Sequence, residues 1–138
     1  MSKIEVDQIV PKSGTNLQIG EAGDTINLTT ATVNLPTGVG GTSWQAVKTS
    51  DFTAVAGEGY FIDTSSGVVT ATLPSSATIG NEVSIIDYAG TADTNNITIG
   101  RYGHNIQGAA SDMTVSTERA AFTLVYVDST QGWLLKDK

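Results

Sequence analysis

His104 is the single histidine of this 138-residue chain, and nucleophilic catalysis by Ser or Thr needs such a base alongside. It sits in Tyr102-Gly103-His104-Asn105, and no Gly-x-Ser-x-Gly elbow accompanies it. A loop or edge histidine is the plain reading. The sharper one is an ion on an oligomer axis, where each copy supplies one imidazole. Paired carboxylates would suit glycoside hydrolysis, and Asp63, Asp87, Asp93, Asp112 and Asp128 are the candidates by position. Ten Asp/Glu spread evenly after Trp44 bring some pairs together by chance, and Asp at strand ends ordinarily makes turn hydrogen bonds. Asp93-Thr94-Asn95-Asn96 could offer oxygen ligands to calcium, but the glycine and the distal Glu of an EF-hand loop are missing. Gly57 and Gly59 lack the Lys and the following helix of a phosphate cradle, so a hairpin turn is expected there. We expect no catalytic residue, no metal ligands and no cofactor, and therefore not an enzyme.

Aromatic side chains are the other candidates. Trp44, Tyr88, Tyr126 and Trp133 could stack on the C–H faces of a glycan or fill an interface. Trp133 lies inside Gly132-Trp133-Leu134-Leu135, where core or interface packing is the simpler use. Trp44 directly follows a glycine-rich stretch and is placed to seal the joint behind it.

Composition narrows the partners. Seven Lys/Arg against fourteen Asp/Glu give a net charge of −7, with no basic cluster anywhere. Phosphate neutralisation requires such a cluster, so neither nucleic acid nor an anionic membrane surface is an expected partner. The absence of cysteine excludes disulfides and thiolate zinc sites. Glu5 and Asp7 interrupt the first ten residues, which leaves no signal-peptide apolar region. No apolar run approaches the roughly 18 residues of a membrane span. Assembly inside a cell and release by lysis would fit these features, with no membrane insertion.

The elements that must position these residues are strands. Thr, Val and Ile favour pleated surfaces, and Gly, Asn and Asp favour the turns between them. Two parts are expected, 1–36 and 44–138, joined by a glycine-rich hinge at 37–43. In the first, Ile4 and Val6, Leu17-Gln18-Ile19, Ile26-Asn27-Leu28 and Val33-Asn34-Leu35 alternate apolar and polar residues, the mark of short strands with one buried face. The segment is near the ~40-residue limit below which chains rarely fold unaided, and it has no disulfide or metal to help. Its apolar set, Ile4, Val6, Leu17, Ile19, Ile26, Leu28, Val33 and Leu35, therefore reads as an oligomer core. Three chains supplying one strand each would build an intertwined, β-prism-like arm. A dimer, or docking on a different protein, would satisfy the same need. In the second part strands are expected at 44–49, 59–63, 68–73, 82–88, 96–100, 113–117, 121–128 and 132–136. Regular short strands with frequent turns predict an all-β, β-sandwich or jelly-roll-like domain.

The opening Met1-Ser2-Lys3-Ile4-Glu5-Val6-Asp7, then Pro11-Lys12-Ser13-Gly14-Thr15 and Leu17-Gln18-Ile19-Gly20, resembles the start of tail-fibre-type virion structural proteins of tailed phages, including those of cyanobacteria and marine bacteria. Tyr60-Phe61-Ile62-Asp63-Thr64-Ser65-Ser66-Gly67, Val69-Thr70-Ala71-Thr72-Leu73-Pro74, Gly80, Ile85-Ile86-Asp87, Asn96-Ile97-Thr98-Ile99 and Gly132-Trp133 resemble a β-domain recurring in such fibres. The resemblance implies a virion location, other virion proteins as partners and, usually, a homotrimer. Its N-terminal part would attach to the particle, and its distal domain would face a receptor or another fibre component. The chain is shorter than a full host-recognition fibre, so a short fibre or fibre adaptor is expected. A capsid or head fibre, a decoration protein, or a carbohydrate-binding module reading a host surface glycan are the alternatives.

Overall fold

A computed structural model describes residues 41–136. The expected oligomer core from Ile4 to Leu35, and most of the hinge, lie outside the described residues.

Nine strands are described and, among the described residues, no helix. They are β1 (Ser43–Trp44), β2 (Phe52–Thr53), β3 (Glu58–Ile62), β4 (Val69–Thr72), β5 (Glu82–Asp87), β6 (Ile97–Gly100), β7 (Met113–Val115), β8 (Ala121–Asp128) and β9 (Gly132–Leu135). The all-β expectation holds. The strands form a five-stranded sheet in the order β1-β3-β5-β8-β9 and a four-stranded sheet in the order β2-β4-β6-β7.

The winding differs from a succession of hairpins. β1, β3 and β5 run parallel in one sheet, and β2, β4 and β6 run parallel in the other. The chain thus alternates between sheets at every turn. It then reverses, with β7 antiparallel to β6, β8 antiparallel to β5, and β9 antiparallel to β8. Gly57 therefore belongs to a crossover between sheets, not to the hairpin expected there, and Gly59 is already inside β3. Alternation identifies a strand and its buried face but does not name its neighbour.

Inward positions supply one core. Tyr60, Ile62, Val83, Ile85, Leu124 and Trp133 come from the larger sheet, and Val69, Ala71, Ile97, Ile99 and Val115 from the smaller. Each fully buried aliphatic or aromatic side chain of this kind contributes about 1.5–3 kcal/mol relative to exposure. Ala54, Leu73 and Ala92, buried just outside the strands, extend the same cluster.

The outer faces contrast. Cross-strand partners share a face, so Thr53, Thr72, Thr70, Thr98 and Thr114 line the outside of the smaller sheet. Their β-branched side chains suit the pleat, and their hydroxyls tolerate water. The outside of the larger sheet carries Trp44, Phe61 and Ile86 instead.

Candidate functional site

The groups that could do acid–base chemistry are occupied in holding the fold. Asp87, buried at the end of β5, accepts backbone N–H groups from Gly90 at 3.0 Å, Ala92 at 3.3 Å and Arg119 at 3.0 Å. Asp63 accepts from Ser65 N–H at 2.9 Å, and its hydrogen bonds from the Ser65 side chain and backbone hold the carboxyl below its usual range. Asp112 accepts from Arg101 N–H, and Asp128 from Thr130 and Gln131 N–H. Asp93 accepts the Thr94 hydroxyl in an exposed turn. In that turn the Asn95 amide donates to the Thr64 carbonyl and the Asn96 amide to the Ala92 carbonyl. The described segment is therefore tied to its own backbone. Among the described residues no cluster of three or more His, Cys, Asp or Glu could hold a metal ion, and no helix is long and apolar enough to cross a membrane.

His104 lies in the loop after β6. Its Nε2 is 3.1 Å from the Ser75 carbonyl oxygen, and its ring meets the edge of Tyr126 at a centroid distance of 5.2 Å. Those contacts suit a loop-fastening side chain.

The four expected aromatics do not form one platform. Trp133 is fully buried and meets Tyr126 edge-on at 5.5 Å. Tyr126 is itself buried. These two are core residues and have no free face for a sugar. Trp133 inserts where β9 runs beside the 105–108 segment: its backbone N–H donates to the Asn105 carbonyl and its own carbonyl accepts from Gln107 N–H. Tyr88 is 53% exposed at the end of β5, where its carbonyl accepts from the Arg119 guanidinium.

Trp44 stays on the surface, 46% exposed, on the outer face of the larger sheet. Its ring stacks on Phe61 with centroids 4.9 Å apart and planes 29° from parallel. The stacking requires Gly59. A Cβ there would lie 2.6 Å from the Trp44 ring, so only glycine lets the indole lie flat on β3. Beside this pair, a shallow groove of about 330 Å³ runs along Trp44, Ser84, Ile86, Ala121 and Thr123. Its floor is closed by the Ser84–Thr123 hydroxyl contact at 3.0 Å. Phe61 was not singled out by sequence. In the unbroken run Tyr60-Phe61-Ile62 the alternation is lost, so nothing marks Phe61 as the outward member.

Beneath the same strand, Tyr60 turns inward. Its hydroxyl donates to the Glu58 carboxylate and accepts from Val55 N–H at 2.8 Å. Burial first, then the bond to Glu58, pushes the phenol up to about 12.

Comparison with known proteins gives the chain a family. The family model described as bacteriophage T4 gp9/10-like protein, N-terminal, matches residues 5–134. The chain belongs to this family. The match runs through the expected arm, the hinge and the β-domain together. Among curated proteins no match is found. As a member of the gp9/10-like N-terminal family, the chain is a phage virion structural protein of the baseplate or fibre type.

Proposed function

We propose that the chain is a non-enzymatic subunit of a homotrimeric short fibre or fibre adaptor on a tailed-phage particle. Its N-terminal arm attaches it to the particle and supplies the oligomer core, and its β-domain faces other virion proteins. One observation carries this reading. Asp63, Asp87, Asp112 and Asp128 accept backbone N–H groups of the domain, while Trp44, stacked on the half-buried Phe61, is left facing solvent. Apolar aromatic surface of this kind is what protein interfaces use as anchors. The apolar triplets of the arm need a further surface to bury one face, and identical copies supply it in this reading. Gold-labelled antibody against the chain, imaged on intact particles, tests the placement. Labelling confined to the tail or its fibres supports it. Labelling over the head shell replaces it with a head-fibre or decoration role.

A second reading, recognition of a host surface glycan, is favoured by Trp44 alone, whose ring keeps one face free. A glycan array with the wild-type chain and Trp44→Ala separates the two. Binding lost on substitution supports the glycan role, and absence of binding in both removes it.

A further inference from the structure

We infer that the outer face of the larger sheet is the surface on which identical copies of this chain meet, an interface that rests on the homo-oligomer proposed above and names the partner of the Trp44–Phe61 pair. Cross-strand register sets three rows on that face. Trp44, Gly59, Ser84 and Thr123 form the middle row. Phe61, Ile86 and Ala121 lie on one side of it, and Glu82, Val125 and Leu134 on the other. The rows gather Trp44, Phe61, Ile86, Ala121, Val125 and Leu134 on one surface, and none of these side chains is fully buried. Trp44 is already arranged for a contact. Its indole lies flat on Phe61 over Gly59, so it loses little freedom when a partner covers it.

Charge selects the occupant. Each chain carries a net charge of −7, so two copies repel wherever their acidic groups face each other. Asp51, Asp63, Asp93, Asp112, Glu118 and Asp128 sit between strands or at a strand end. The one carboxylate in the three rows, Glu82, is met by the Lys136 ammonium at 3.0 Å. Copies can therefore touch across this face without opposing uncompensated acids. A basic partner would instead be drawn to the acidic loops. The outer face of the smaller sheet is free of charge too, but its Thr hydroxyls keep their water and offer little apolar area.

Area points to the same occupant. Five strands spaced about 4.8 Å apart, over a length of about 15 Å, give a face of roughly 350 Å² in projection. A partner arriving from solution needs about 800 Å² on each side for a stable complex. The face is too small to capture such a partner alone. It suffices for copies already held in one oligomer, where the effective concentration is of the order of millimolar. Three such faces set as a triangle stand about 7 Å from their shared axis, a gap that side chains of the size of Phe61 and Ile86 fill.

Because the chain has no cysteine, single cysteines report this contact. Ala121 is exposed on the outer face of the larger sheet, and Thr114 is exposed on the outside of the smaller one. In the full-length oligomer a short bis-maleimide is expected to join copies of Ala121→Cys into covalent multimers on a denaturing gel and to leave Thr114→Cys unlinked. Trp44 supplies a second readout, because Trp133 is fully buried. Acrylamide quenching of each protein with and without Trp44→Phe isolates the Trp44 emission. Its quenching constant should rise about threefold or more in Ala121→Lys, which sets like charges on facing copies. An oligomer whose Ala121 cysteines stay unlinked overturns this interface and leaves the oligomer standing. Equal linking at Thr114, or equal Trp44 quenching in wild type and Ala121→Lys, also overturns it. A monomer by native mass spectrometry removes both.

Discussion

The Asp87 carboxylate accepts the backbone N–H of Arg119 at 3.0 Å, across 32 residues of sequence. It joins the end of β5 to the turn that leads from β7 into β8. The Arg119 side chain then returns to the Tyr88 carbonyl, so the two turns hold each other. Replacing Asp87 by Ala leaves the N–H groups of Gly90, Ala92 and Arg119 without their acceptor. The expected cost is roughly 3 kcal/mol, read as a fall in Tm of about 10 °C or more. Thermal unfolding of Asp87→Ala against wild type checks it, and a change within about 2 °C would show the carboxylate to be dispensable.

Gly132 opens β9 with φ at 69°, and a Cβ there would overlap the Asn105 carbonyl. Gly80 has a similar φ of 87° but open space around it. Gly132→Ala should therefore cost at least about 2 kcal/mol more than Gly80→Ala, since only the first adds a backbone clash to the left-handed strain. Denaturant unfolding of the two variants measures the difference. Equal losses would mean that β9 and the Asn105 segment separate freely.

Tyr60 links stability to alkaline pH. Its phenol ionises near 10.0 in an unfolded chain and near 12 in the fold. The raised value means that the folded state keeps a proton the unfolded state loses. This contribution is fully present below pH 10 and is lost as pH rises from 10 towards 12. Tm should be flat with respect to this group up to about pH 9.5 and then fall. Tyr60→Phe should be less stable at neutral pH, because Val55 N–H loses its acceptor, and should show a shallower alkaline decline. A decline of unchanged steepness in Tyr60→Phe would assign the alkaline loss to other groups.

Much of the fold was legible in residue order. Short runs of apolar and β-branched residues bounded by turn residues located β3 to β6, β8 and β9 to within a residue or two. β2 escaped notice, as Phe52-Thr53 is too short to show a period. Pairing escaped as well. Turn residues such as Ser65-Ser66-Gly67 can close a hairpin or carry the chain to the opposite sheet, and local chemistry does not separate the two. The candidate site was half legible. Trp44 could be placed on the surface only by its stacking on Phe61 over Gly59, which brings together residues from two parallel strands. Trp133 and Tyr126 are aromatic in the same degree, yet β9 turns one and β8 the other into the core.

The central claim is that identical copies complete this subunit. Native mass spectrometry of the full chain tests it most directly. The account predicts a dominant species at three times the 14.3 kDa chain mass, persisting at low micromolar concentration. A population that remains at the single-chain mass under those conditions would contradict it.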